Sequence, residues 1–299
     1  MNDQQRKQLQ TAQAQVSAGH YANATPTLLR LYDESDDEAV LAPLAHSFLG
    51  QHQIIEANRL VDEHFAFFVT QQLGLLTDVL LANRRFVELH ILLAQLPAAQ
   101  TEAARTKLQT AETTGTNLDE AGERQFKHLG AFTPQAQQAI IAQAEHLPLA
   151  NYVAATVTNL QDPDVHPIWR LQLLNNLMRL RIKTPVSLLW IDQQTYTVQP
   201  DQLAEVTETT AYQQLQRLVT AKYGQVDPIK QTQLMSLMQV ELQNLYPFLD
   251  RIMTDPKLWL EQLERQSQGE PLESAKPSVT NWLTLIEKLM AGLISEKEA

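Results

Sequence analysis

Eight histidines are spread through a chain of 299 residues, and three of them, His46, His52 and His64, fall within what reads as one helical hairpin. Such a set would offer zinc chemistry, provided that the imidazoles converge and a second layer of hydrogen bonds orients them. The spacing does not deliver convergence. His46 and His52 are six positions apart, on opposite sides of a continuous helix, and the Gly50 turn intervenes. His166, before Pro167, reads as a helix N-terminal residue rather than a base. Asp119, Glu120, Glu123 and Glu145 have the type for acid–base work, but no spacing that makes two of them face each other across a cleft. There is no cysteine, so thiolate metal sites, disulfides and cysteine nucleophiles are excluded. The nine glycines are scattered and form neither a Gly-Lys-Ser/Thr loop nor Gly-x-Gly-x-x-Gly. Gly-x-Ser-x-Gly and His-Glu-x-x-His are missing, and the acidic run Asp33 to Glu38 lacks the central glycine and closing glutamate of a calcium loop. The sequence therefore predicts no catalytic residue, no cofactor, no metal site and no enzymatic activity.

The elements that would position any site are helical. Nine glycines and fourteen prolines leave little room for a many-stranded sheet with tight hairpins. Apolar residues instead recur at three- and four-residue steps, as in Leu171, Leu174, Leu177, Met178 and Leu180. The expected fold is mainly all-α. One exception is a β-hairpin near 186–198, where Val186 to Ile191 and Thr195 to Val198 flank the polar turn Asp192-Gln193-Gln194; it should pack on a helix, because an isolated hairpin is marginal. A chain of this length, 44% hydrophobic, exceeds one comfortable core and suggests two domains or a repeat stack. Lysine and arginine total 23 against 34 acids, a net charge of −11, which disfavours nucleic acid and anionic membranes as partners. No apolar run is long enough to span a bilayer and the first ten residues carry no signal-peptide core, so a cytoplasmic location is expected. Arg170, Arg179, Arg181 and Lys183 form the densest basic stretch, read as a solvated stripe along a helix. Trp190, Trp259 and Trp282 lie far apart in sequence and read as core anchors rather than an aromatic platform.

A helix–turn–helix unit recurs through the first hundred residues. Gln5 to Ala18, the turn Gly19-His20-Tyr21, and Ala22 to Tyr32 make the first; Gly50 with Gln51-His52-Gln53 turns the second, and Arg84-Arg85-Phe86 the third. Gly19, Tyr21 and Ala24 resemble the signature of the tetratricopeptide-repeat family. Aligning Gly50 with Gly19 makes Tyr21, His52 and Phe86 equivalent, at steps of 31 and 34 residues against a family period of 34. Residues 1–113 are read as these repeats. Thr114 to Asn117 marks a boundary, and 114–299 is read as a second helical domain, in which the Asp162-Pro163 turn resembles a HEAT-type repeat. The whole order of elements resembles tetratricopeptide-repeat proteins of low-GC Gram-positive bacteria, a likeness that implies no particular activity.

The resemblance implies a concave face lined by the first helix of each unit. Arg6, Gln13 and Ser17 of the first unit and Gln71 and Asp78 of the third would face it and bind a protein or peptide partner. The expected role is a non-enzymatic scaffold or adaptor. The alternative is a ligand-sensing regulator or enzyme with a site at the junction near Asp119 to Lys127. The last helix, with Trp282, Leu283, Ile286 and Leu289, is apolar enough to cap the stack or to form a homodimer.

Overall fold

A short loop with a left-handed residue joins the two helices of three successive hairpins in the first hundred residues, and the computed structural model shows how they build a layered stack. It describes residues 1–35, 37–114, 120–272 and 277–295. Two compact units emerge: one comprises Met1–Glu123 and Gln143–Tyr152, the other Arg124–Ala142 and Val153–Ala299. The boundary stretch expected at Thr114 to Asn117 falls, after Thr114, outside the described residues, as does Asp119.

The first unit contains α1 (Asp3–Ser17), α2 (Tyr21–Glu34), α3 (Leu41–Gly50), α4 (Ile54–Glu63), α5 (Phe65–Gln71), α6 (Leu73–Ala82), α7 (Phe86–Gln95) and α8 (Ala98–Thr114). Asn2 starts α1 with a capping box: its side chain accepts the Gln5 N–H, and the Gln5 side chain accepts the Asn2 N–H. Helices α1, α3, α6 and α8 pack one after another in one layer, while α2, α4 and α7 back them. The core between the layers holds Leu28, Leu31, Leu44, Leu60, Leu76, Leu80 and Leu89.

Three turns in this unit share one backbone solution. Gly19, His52 and Arg84 all have φ near +60° to +75°, and the N–H groups of His20, Gln53 and Arg85 reach back to Gln15, Phe48 and Leu80 carbonyls, closing the preceding helix with a Schellman motif. The equivalent residues are therefore Gly19, His52 and Arg84, at steps of 33 and 32, with Tyr21, Ile54 and Phe86 opening the next helix and Ala24, Ala57 and Leu89 fully buried. This corrects the alignment of Gly50 with Gly19. Gly50 ends α3 inside the helix, where the ring of Tyr21 covers it, and the turn comes two residues later on a histidine. The short α5, which the sequence does not announce, is inserted between the second and third hairpins.

Polar clasps join the helices. Thr25 and Ser47 hydroxyls lie 2.7 Å apart between α2 and α3, and Gln51 donates to Thr25. Arg85 donates to Glu88 on α7 and to Asn58 and Asp62 on α4. Glu112 of α8 accepts from Leu149 N–H and pairs with His90. Burial raises its proton affinity, but those two partners outweigh it and hold the carboxyl below its ordinary value.

Helices α9 (Glu120–Lys127), α10 (Pro134–Ala144) and α11 (Leu149–Asn159) contribute to both units in sequence. The second unit continues with α12 (Pro167–Arg179), the antiparallel pair β1 (Val186–Leu189) and β2 (Thr195–Val198), then α13 (Thr210–Tyr223), α14 (Pro228–Asn244), α15 (Leu249–Ile252), α16 (Pro256–Ser267) and α17 (Pro277–Ser295). The hairpin stands where the sequence puts it, with Val186 opposite Val198; Gln193 takes φ +63° in its turn and Tyr196 donates to Asp192. It packs as expected: Trp190 donates to the Tyr246 carbonyl and Leu189 N–H to that of Leu160. Asp227 and Asp255 cap α14 and α16 ahead of a first-turn proline. Helix α14 stops at Asn244, three residues before Pro247, which offers no N–H to continue it. Helices α13, α14 and α16 pack together, and α17 buries Leu283 and Ile286 against α14 and α16. The fold is thus mainly all-α with one small two-stranded sheet among the described residues.

Candidate functional site

An open groove of about 590 Å³ runs across the face that α1 and α3 share, and α5 closes one side of it. Each wall follows from local sequence. The last turns of α1 present Gln13, Val16 and Ser17; α3 presents Ala42, Pro43 and His46; α5 adds Phe67 and Gln71. Small residues at Ala39 and Ala42 keep the floor open, and half-buried Val16 and Phe67 give it an apolar strip. The polar groups are mostly amides and a hydroxyl, with Glu38 the one carboxylate in the lining. Such groups can donate and accept along an extended main chain.

Of the five residues nominated from sequence, Gln13, Ser17 and Gln71 line this groove together. Arg6 and Asp78 do not line it. Arg6 sits by the N-terminus, donating to the Met1 carbonyl with Asp3 nearby, and Asp78 accepts from Lys107 of α8 at 2.5 Å. Phe67, Pro43, His46 and Glu38 are lining residues that sequence reasoning missed. A run of three aromatics in Phe65-Ala66-Phe67-Phe68 was the available signal, because only Phe68 of the three is fully buried.

The histidine trio does not converge: His46 lines the groove, His52 is the left-handed turn residue, and His64 bonds the Tyr32 hydroxyl at 2.9 Å. Among the described residues no group of three or more His, Asp or Glu side chains could hold a metal ion. Glu123 accepts from Asn151, both in the first unit. No helix among the described residues is long and apolar enough to cross a membrane.

In the second unit one member of the basic stripe is corrected, while Arg179, Arg181 and Lys183 are exposed as expected. Arg170 is 1% exposed; its Nη1 donates to the carbonyls of Asp162 at 2.7 Å and Val165 at 2.8 Å. Burial lowers its proton affinity, to a pKa of about 10, against the pull of Asp162. Gln137 clasps the same loop from α10, donating to Asp164 and accepting from His166 N–H. Arg181 is a left-handed turn residue at the end of α12. Trp190 and Trp259 are buried, as expected of core anchors, and Trp190 and Trp282, distant in sequence, have rings 5.3 Å apart, with Phe248 edge-on to Trp190 at 5.1 Å. Arg251 caps this cluster over Phe248 and Tyr196.

No protein-family model matches the chain, and neither a curated protein nor a solved structure shows significant similarity to it.

Proposed function

We propose that the protein is a tetratricopeptide-like helical-repeat scaffold, not an enzyme, whose first unit binds a segment of a partner protein in the groove between α1, α3 and α5. The observation that carries this reading is the meeting of Gln13, Ser17 and Gln71 with Val16, Pro43 and Phe67 in one groove. Side-chain amides would pair with the main chain of an extended peptide, while Phe67 and Val16 would take one apolar side chain. Glu38, and a net charge of −11, favour a neutral or basic segment and argue against nucleic acid. The shared Schellman turns support the repeat reading, and the lack of cysteine fits a reducing cytoplasm.

The test is affinity capture with the full chain, the Gln13→Ala/Phe67→Ala/Gln71→Ala triple variant and Arg6→Ala, followed by peptide mapping of whatever is retained. A partner held by the full chain and by Arg6→Ala, and lost from the triple variant, supports the groove. Capture that is the same for all three, or absent from all three, overturns it.

A further inference from the structure

Two buried polar atoms of the second unit have no hydrogen-bond partner in the protein and belong to residues that line one cavity. They are Oδ1 of Asn175 on α12 and the hydroxyl of Tyr246, a residue only 4% exposed that follows α14. The cavity measures about 440 Å³ and lies between α12, α14 and α17. Its walls are largely apolar: Leu171 on α12, Val240 on α14, and Met290 and Leu293 on α17. None of its lining side chains is charged.

A buried oxygen without a partner keeps an uncompensated desolvation cost, and these two belong to residues that share one cavity lining with the apolar side chains and with the amides Gln172, Gln243 and Asn244. Such pockets, apolar with a few placed polar groups, are the usual form of a small-molecule site. The polar atoms define what would satisfy them. Asn175 Oδ1 accepts, so it needs an N–H or O–H; the Tyr246 hydroxyl donates to a carbonyl or hydroxyl oxygen. The Tyr246 phenol stays protonated, since burial first and then the Glu205 carboxylate push its proton affinity up. That carboxylate, and the missing cation in the lining, exclude an anionic headgroup by leaving its charge unpaired.

We infer that the cavity between α12, α14 and α17 is a binding site for an uncharged, largely apolar small molecule bearing one donor and one acceptor side by side, as in a primary carboxamide or an alcohol. Asn175 and Tyr246 read the polar end, and Leu171, Met290 and Leu293 hold the apolar body. This site is separate from the peptide groove of the first unit, and its test does not depend on that groove.

Benzamide, benzoate and ethylbenzene probe the polar requirement on the full chain, by NMR titration read at the Met290 methyl and the Trp169 indole N–H, both of which belong to lining residues. Benzamide is expected to shift both signals and to bind about tenfold more tightly than either benzoate or ethylbenzene, as one to two good hydrogen bonds would give. Tyr246→Phe should weaken benzamide about fivefold to tenfold and leave ethylbenzene unchanged. Val240 is 43% exposed at the rim, so Val240→Trp should fill the mouth without disturbing the fold and abolish all three titrations. This second variant keeps the test intact if Tyr246→Phe fails to fold. Equal affinity for benzamide and ethylbenzene, shifts confined to other residues, or no response at saturating benzamide would each overturn the inference.

Discussion

The aromatic ring of Tyr21 lies directly on Gly50: a methyl group built on that glycine would stand 2.3 Å from Cδ2 and Cε2 of the tyrosine. The first residue of α2 thus packs on the last residue of α3, and a glycine is what lets the two helices approach. The hydroxyls of Thr25 and Ser47 continue the same seam.

Gly50→Ala should therefore cost about 1–3 kcal/mol, the overpacking penalty exceeding the gain in helix propensity. Gly74, in α6, has open space around it, with no neighbouring atom within 4 Å of where an alanine methyl would stand, and Gly74→Ala should stabilise by about 0.5 kcal/mol. Urea denaturation of the two variants, read by circular dichroism, checks both signs.

His52 and Arg84 hold a conformation that a side chain resists by about 1–2 kcal/mol. Glycine removes that strain but loosens the unfolded chain. His52→Gly is expected to raise stability by about 0.5–1 kcal/mol, and Gly19→Ala, at φ +75°, to lower it by about 1 kcal/mol. Thermal unfolding of both variants beside the parent protein measures the pair.

These turns also mark where sequence reasoning succeeds and where it stops. The first turn is legible because its left-handed residue is a glycine, two before an aromatic. The other two carry histidine and arginine, residues with no turn signature, so the nearest glycine attracts the alignment and shifts the second repeat by two residues. Gln13 and Ser17 are legible as groove residues because helical periodicity assigns them a face of α1, whereas Gln71 reaches the groove from the end of α5 and not from the first helix of the third unit. Asp78 is not separable from them by periodicity, since its partner Lys107 lies 29 residues away. Arg170 reads as a surface cation because its acceptors are loop carbonyls, which leave no mark in side-chain order. The Asn175–Tyr246 cavity joins three helices that are distant in the chain, and no local pattern announces it.

Arg170→Met should destabilise the second unit by about 1–3 kcal/mol, because the buried Val165 carbonyl loses the Arg170 donor and the Asp162 carbonyl keeps only the Val165 N–H. Amide hydrogen exchange should show faster exchange across residues 162–167 than in the parent. Unchanged protection there would mean that Gln137 alone holds the loop.

Glu241 of α14 is 4% exposed, accepts from Gln266 at 2.9 Å and has its second oxygen without a partner. Burial, with Glu287 adding like charge, pushes its pKa from 4.5 to about 7 against the Gln266 bond. The folded state therefore holds this proton more tightly than the unfolded state. Its contribution is fully present below about pH 4.5 and is lost as pH rises through 7. The parent protein should lose about 2–3 kcal/mol relative to Glu241→Gln between pH 5 and pH 8. Paired denaturation curves at those pH values give the difference directly, with other titrating groups cancelling.

The bond from Leu149 N–H to Glu112 has a practical meaning for anyone dividing this chain. Together with the Val87 N–H to Glu145 carbonyl bond, it shows that the first unit is finished by residues 143–152, which arrive only after nineteen residues counted in the other unit. A fragment cut at Glu123 would lack its own last piece, exposing Val87 and stripping Glu112 of a partner. Ribosomal synthesis faces the same order, so the repeat stack cannot be completed until the chain has passed Tyr152.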